Sequence, residues 1–296
     1  MSQKSATPLV SQEVIALYDE YTHAPLERRV FMKRLTAITG STAAAYTVLP
    51  LLENNVAQAQ LVKGDDPRVA VERIGFQGAT GEVRGYLVSP KAATGKLPAV
   101  IVIHENRGLN PHIEDVARRI ALAGYLTLAI DYLSPLGGTP ADEDRARDMI
   151  AKLDQAQVTA NGQAAIQFLK THARSTGKVG AVGFCWGGAT TNRLAISGAD
   201  LGAGVVYYGG APANLADVPN LKAPMLFHYA GTDTNVNKTW PDYEAALKAA
   251  NKKYEAYIYE GGIHAFNNDT SAARYNETIA KLAWQRTLDF FAKNLA

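Results

Sequence analysis

Cysteine is almost absent: Cys185 is the one thiol in 296 residues, so no disulfide can form within the chain and no cysteine-based zinc cluster can be built. The six histidines include no H-E-x-x-H pair, and His104 and His112 read as structural or pocket-lining residues rather than metal ligands. No G-x-G-x-x-G or Walker loop is present, so nothing points to a nicotinamide or ATP partner, and no metal or organic cofactor is implied. An excess of one sign of charge is lacking as well. A formal net charge of +2 without a basic stripe gives no reason to expect nucleic acid as a partner. Internal repeats and low-complexity tracts are missing. What remains is an ordinary globular composition, 47% hydrophobic and 20% charged, long enough for one large α/β domain.

The lone cysteine stands in an unusual place. In Val179-Gly-Ala-Val-Gly-Phe-Cys185-Trp-Gly-Gly-Ala189 it follows a short apolar run that reads as a buried strand, and the residues from Ala189 onward are compatible with a helix. A cysteine is often only a small core hydrophobe. The flanking glycines speak for a second reading, a G-x-nucleophile-x-G elbow over Gly183–Gly187, with the thiol projecting above the sheet and the Trp186 N–H facing a developing oxyanion.

Strands and helices alternate along most of the chain, which predicts a mainly parallel sheet with helices on both faces. Arg68–Gln77 and Val83–Val88 read as a strand pair, and Pro98–Ile103 and Tyr125–Ile130 as strands buried on both sides. Helices are expected over Pro111–Ala123, Asp142–Leu153, Val158–Thr171 and from about Thr270 to Lys293. Further strands are expected at Gly204–Tyr208, Met225–Tyr229 and Tyr254–Tyr259. In such a sheet functional loops collect at the carboxyl ends of the strands. Asp233 lies in the loop after Met225–Tyr229 and His264 in the loop after Tyr254–Tyr259. The chain order is therefore nucleophile, acid, histidine, as in the α/β-hydrolase triad. Taken singly, Asp233 is also compatible with a helix cap and His264 with a core histidine.

With GFCWGG, the G-T-D loop, G-G-I-H-A-F and the glutamate of Ile103-His-Glu-Asn-Arg-Gly-Leu109, residues 65–296 resemble the dienelactone hydrolases (carboxymethylenebutenolidases), the cysteine-nucleophile branch of the α/β-hydrolase fold. The resemblance implies a hydrolase for a small ester or lactone substrate, with Cys185, Asp233 and His264 as triad and no cofactor. It implies that Glu105 contacts the resting thiol and that the backbone N–H groups of Trp186 and Asn106 form the oxyanion hole. The family binds a substrate carboxylate with arginines, one of them four residues after the histidine. Here that position is Asn268, and Arg145 or Arg147 falls where the second is expected. A preference for neutral esters or lactones follows. Tyr132, Tyr207, Tyr208 and Phe266 are candidates for an aromatic pocket wall. A thioesterase on the same residues, or a non-catalytic binding protein on the same fold, are the alternatives.

Residues 1–60 read as a separate N-terminal segment and 61–296 as the catalytic domain. Arg28-Arg-Val-Phe-Met-Lys33 resembles a twin-arginine export motif, followed by an apolar run from Leu35 to Leu52 and an A-x-A-like cleavage site at Ala57-Gln-Ala59. Export to the periplasm without a stable membrane anchor is one expectation. Retention of the segment as helices packed on a cytoplasmic enzyme is the other, favoured by the helix-like stretch before the arginines and by Pro50 and Glu53 at the end of the apolar run. The run is weak as a permanent span.

Overall fold

The computed structural model describes residues 10–23, 26–53 and 60–296. In chain order the elements are helices α1 (Gln12–His23), α2 (Arg28–Thr39) and α3 (Thr42–Leu52), then strands β1 (Val69–Gly78), β2 (Gly81–Pro90) and β3 (Leu97–Ile103). Helix α4 (Pro111–Leu122), strand β4 (Leu126–Ile130), helices α5 (Glu143–Ile150) and α6 (Gln155–Thr171), strand β5 (Ser175–Phe184) and helix α7 (Trp186–Ile196) follow. The chain closes with β6 (Ala203–Tyr207), β7 (Met225–Ala230), α8 (Thr234–Asn237), α9 (Trp240–Ala249), β8 (Tyr254–Tyr259) and α10 (Glu277–Leu295).

The eight strands form one sheet in the order β1-β2-β4-β3-β5-β6-β7-β8, with β2 antiparallel to both of its neighbours, β1 and β4, and every other pair parallel. Because side chains alternate along a strand, neighbouring residues feed opposite cores. Ile101 joins Leu128, Ala181 and Phe227 under α6, α7 and α9, whereas Val100 and Val102 join Val182 and Leu226 under α4 and α10. This double coverage is why these strands lack polar alternation.

One expectation needs correction. Helix α10 starts at Glu277 rather than near Thr270, because Asn276 caps it through the Ile279 N–H while residues 268–275 are held in successive turns. Helix α9 carries a weak sequence signal, because Trp240, Tyr243 and Leu247 give only one short apolar stripe. Among the described residues before 60, α1–α3 bury Tyr18, Tyr21, Phe31, Leu35, Leu49 and Leu52 in one cluster together with Ile263 and Ala273 of the following domain. Ala273 N–H and the Ser271 hydroxyl donate to the carbonyls of Leu51 and Leu52, at 3.1 and 3.0 Å.

Of the two motif arginines, Arg28 pairs with Asp144 at 2.6 Å and Glu53 at 3.4 Å, and Arg29 is exposed. Ala57–Ala59 lie outside the described residues. Helices α2 and α3 meet at 111°, and among the described residues no single helix is long and apolar enough to cross a membrane.

A polar cluster sits inside the sheet layer. His228 on β7 is buried, with Nδ1 2.8 Å from the Tyr259 hydroxyl and Nε2 3.1 Å from the Thr287 hydroxyl. Burial, helped by the nearby Arg286 cation, pushes its imidazole down to about 3. An unfolded histidine titrates near 6.5, so between these values the unfolded chain takes up a proton that the folded one refuses. The stability is present above about pH 6.5 and is lost as the pH falls toward 3, with a slope approaching about 1.4 kcal/mol per pH unit for one proton. Urea midpoints measured from pH 7 to 4.5 are expected to fall more steeply for the wild type than for His228→Gln. Parallel curves would show that His228 is not the group responsible.

Candidate active site

Five loops at the carboxyl ends of β3, β5, β6, β7 and β8 converge on one site. They deliver Glu105, Cys185, Tyr208, Asp233 and His264 in that order. Cys185 lies between β5 and α7 at φ 55°, ψ −114°, a conformation that L-residues avoid. Of the four non-glycine residues with positive φ among those described, three belong here: Cys185, Tyr208 and Ala265. Two glycines make the turn possible. A Cβ on Gly183 would lie 2.0 Å from the Gly187 carbonyl oxygen, and one on Gly187 would lie 2.3 Å from that of Ile103. The elbow is held by the Cys185 N–H donating to the Tyr207 carbonyl at 3.0 Å.

Asp233 does two jobs with different oxygens. Its Oδ1 accepts the Val236 N–H at 3.1 Å and so caps α8, while its Oδ2 lies 2.5 Å from His264 Nδ1. With Nδ1 turned to a carboxylate, the ring presents Nε2 as its working nitrogen. His264 and Cys185 line the same two cavities.

Glu105 is buried with its carboxylate held by two donors, Asn268 Nδ2 at 2.8 Å and the Tyr208 hydroxyl at 3.4 Å. Burial and the Glu105 charge push the Tyr208 phenol well up, so it stays protonated and donates. His104 is wholly buried and stacks on the Trp186 indole at 5.2 Å and 11°, with its Nδ1 2.6 Å from the Glu105 carbonyl oxygen. Burial lowers its pKa and leaves it neutral.

Beside the thiol lies an apolar pocket of about 240 Å³ walled by Ile150, Ala151, Trp186, Ala189, Tyr208 and Val236. A wider cleft of about 990 Å³ shares Thr22, Arg147 and Ala151 with it. A second, nearly filled cavity holds Glu105, Asn106, Arg107, Cys185 and Arg274. Among the described residues no three histidine, cysteine, aspartate or glutamate side chains cluster as a metal site.

The pocket expected from sequence is only partly this one. Tyr208 lines it, but Tyr132, Tyr207, Phe266, Asn268 and Arg145 do not. Tyr132 is buried behind Trp186, edge-on to it and to His104. Phe266 is enclosed by Tyr207, Tyr208 and Tyr259. Tyr207 turns its hydroxyl away to Thr287 at 2.7 Å. Asn268 is fully buried and committed to Glu105. Arg145 is exposed, since two residues along a helix rotate a side chain by about 200°; it is Arg147 that faces the pocket. Sequence reasoning missed Thr22, Arg107 and Arg274, and of the two arginines that it left open Arg147 is the one in the wall. Only Arg107, two residues from Glu105, had any local signal.

Comparison with known proteins bears on this arrangement. The family model described as "Dienelactone hydrolase family" matches residues 83–295. A Salmonella typhi protein with a carboxymethylenebutenolidase name is 34% identical over 226 residues, 72% of this chain and 83% of its own. One of the same name from Methylorubrum extorquens is 30% identical over 280 residues, 90% of this chain and 94% of its own, an alignment that must include part of the N-terminal helices. A Klebsiella pneumoniae crystal structure titled as a dienelactone hydrolase superimposes with a TM-score of 0.69 at 31% identity, over 76% of this chain and 99% of that one.

Proposed function

Since the chain belongs to the dienelactone hydrolase family and is a hydrolase of that kind, we propose that it cleaves a small neutral ester or lactone through an acyl-enzyme on Cys185, with His264 as proton carrier and Asp233 as its orienting group. The observation that carries this reading is the thiol on a strained elbow, sharing a cavity with a histidine whose other nitrogen is tied to a carboxylate at 2.5 Å.

In this mechanism His264 takes the thiol proton as Sγ attacks the substrate carbonyl. The resulting oxyanion is met by the N–H groups of Trp186 and Asn106. Collapse expels the alkoxide, which receives the proton from His264 Nε2. Water then gives a proton to the same nitrogen and attacks the thioester; the second collapse releases the acid and returns the proton to sulfur. Asp233 stabilises the imidazolium in both halves without taking its proton. Glu105 is buried and lines the same small cavity as the thiol and His264.

Neutrality of the substrate rests on the pocket. Beyond Cys185 and His264 its wall is mostly apolar, with Thr22, Asn106 and Arg147 as further polar side chains, and the side chain at position 268 is an uncharged amide already bonded to Glu105. Loss of one charge-assisted pair to a substrate carboxylate is expected to cost roughly 1.5–3 kcal/mol, about 10- to 150-fold. The test is kcat/KM for a dienelactone carboxylate beside its methyl ester. The ester is expected to be the better substrate, and a strong preference for the free acid would refute neutral selectivity and assign Arg147 the role of cation.

A further inference from the structure

An oxyanion donor works only if it is already aimed when the charge develops. The donor on Trp186 is aimed by the elbow and the first turn of α7. The donor on Asn106 belongs to a loop, and its N–H is half of the peptide group whose other half is the Glu105 carbonyl. We propose that this peptide is clamped from two sides by residues outside the triad: His104, which holds the Glu105 carbonyl, and the end of α1, which holds the Asn106 side chain.

The first clamp is the His104 contact at 2.6 Å, with Nδ1–H donating to the Glu105 oxygen. The ring's other nitrogen lies 3.4 Å from the Tyr132 N–H, which fits an acceptor and therefore a neutral ring protonated on Nδ1. Because the ring also stacks on Trp186, one buried imidazole touches the residue that carries one donor and the peptide group that carries the other. The second clamp is Asn106 Nδ2 donating to the Thr22 carbonyl at 2.5 Å. Thr22 is buried and lines both cavities at the thiol.

Helix α1 is itself fixed. Phe31 of α2 stacks on Tyr21 at 4.3 Å and 18°, Arg147 donates to the Tyr21 carbonyl at 3.2 Å, and the Arg274 guanidinium lies 5.1 Å over the Tyr18 ring. The N-terminal helices thereby act on the hydrolase site as positioning elements rather than as a passive appendage. A chain cut after Ala59 would lose the second clamp entirely.

The inference rests on the acyl-enzyme reading above, and its test separates the two. His104→Phe keeps a ring against Trp186 and removes the donor; His104→Asn replaces the donor near the Nδ1 position; Asn106→Ala removes the tether to α1. Each full-length variant is assayed for hydrolysis of a neutral aryl ester and, separately, for alkylation of Cys185 by iodoacetamide, a displacement at carbon that forms no oxyanion. His104→Phe and Asn106→Ala are expected to lower kcat about 10- to 100-fold, short of the full loss of a donor, with KM within about threefold. Alkylation is expected to stay within about twofold of wild type, and His104→Asn to recover most of kcat.

Unchanged kcat in both loss variants, a rise in KM alone, or alkylation falling in parallel with hydrolysis would each overturn the clamp. If His104→Phe does not fold, Asn106→Ala decides, since Asn106 is only half-buried. A wild type that is alkylated but hydrolyses no ester would remove the acyl-enzyme reading and the clamp with it; a wild type that turns over beside unaffected variants removes the clamp alone.

Discussion

Cys185→Ala is expected to lower kcat for ester hydrolysis by at least about 10³-fold while the protein stays folded. Alanine retains the Cβ and removes only sulfur, so the approach between Gly183 and Gly187 that defines the elbow is untouched. The positive φ strains cysteine and alanine alike, and the native thiol has only 7% of its residue surface exposed, so its deletion leaves at most a small void. Such a void is worth about 1 kcal/mol, which for a chain of this size keeps Tm within about 4 °C of wild type. Steady-state turnover and a thermal melt on the same preparation separate lost chemistry from lost structure. Retention of most activity in alanine protein free of wild type would remove Cys185 from the reaction.

The second large effect is expected at Asp233. Asn in its place can still accept the Val236 N–H, and asparagine caps helices as well as aspartate does, so α8 and global stability should hold. What is lost is the charge 2.5 Å from His264 Nδ1. An amide facing that nitrogen through its N–H₂ group would favour the tautomer with the proton on Nε2, which cannot take a proton from the thiol. An amide facing it through oxygen still leaves the imidazolium without a counter-charge. A fall in kcat/KM of about 10²- to 10⁴-fold with an unchanged melt is the expected result. A loss of less than tenfold would mean that the Asp233–His264 bond serves the cap and the loop rather than the proton transfer.

The residues of the site differ in how far the chain announces them. The elbow could be read because a strand-to-helix turn that projects a side chain demands glycines at Gly183 and Gly187, and that demand is local in sequence. The placing of Asp233 and His264 after successive strands could be read for a similar reason: parallel strands deliver their loops to one sheet edge whatever the details of packing. Glu105 and Asn106 came with the family resemblance. By contrast, whether an aromatic side chain faces the pocket or the core is set by the rotation of its backbone and by its neighbours. Tyr208 lies against the thiol, while Tyr132 and Phe266 lie behind the wall. Arg145 and Arg147 look equivalent in sequence and point in opposite directions on one helix.

The sequence by itself determined the strands of the sheet and the order in which the proposed triad residues follow them, because hydrophobic runs, glycine punctuation and residue type act over a few neighbouring positions. It left the first 60 residues open between a leader and packed helices, since an apolar run after two arginines satisfies both. Only the tertiary structure decided how the described part of that segment packs: Phe31 and Leu35 fill a core shared with Ile263 and Ala273, Arg28 reaches Asp144, and the carbonyl of Thr22 meets Asn106. Contacts between residues 84 and 116 positions apart in the chain have no sequence period to betray them. They exist because the same apolar stripes that could suit a leader here find partners on the catalytic body.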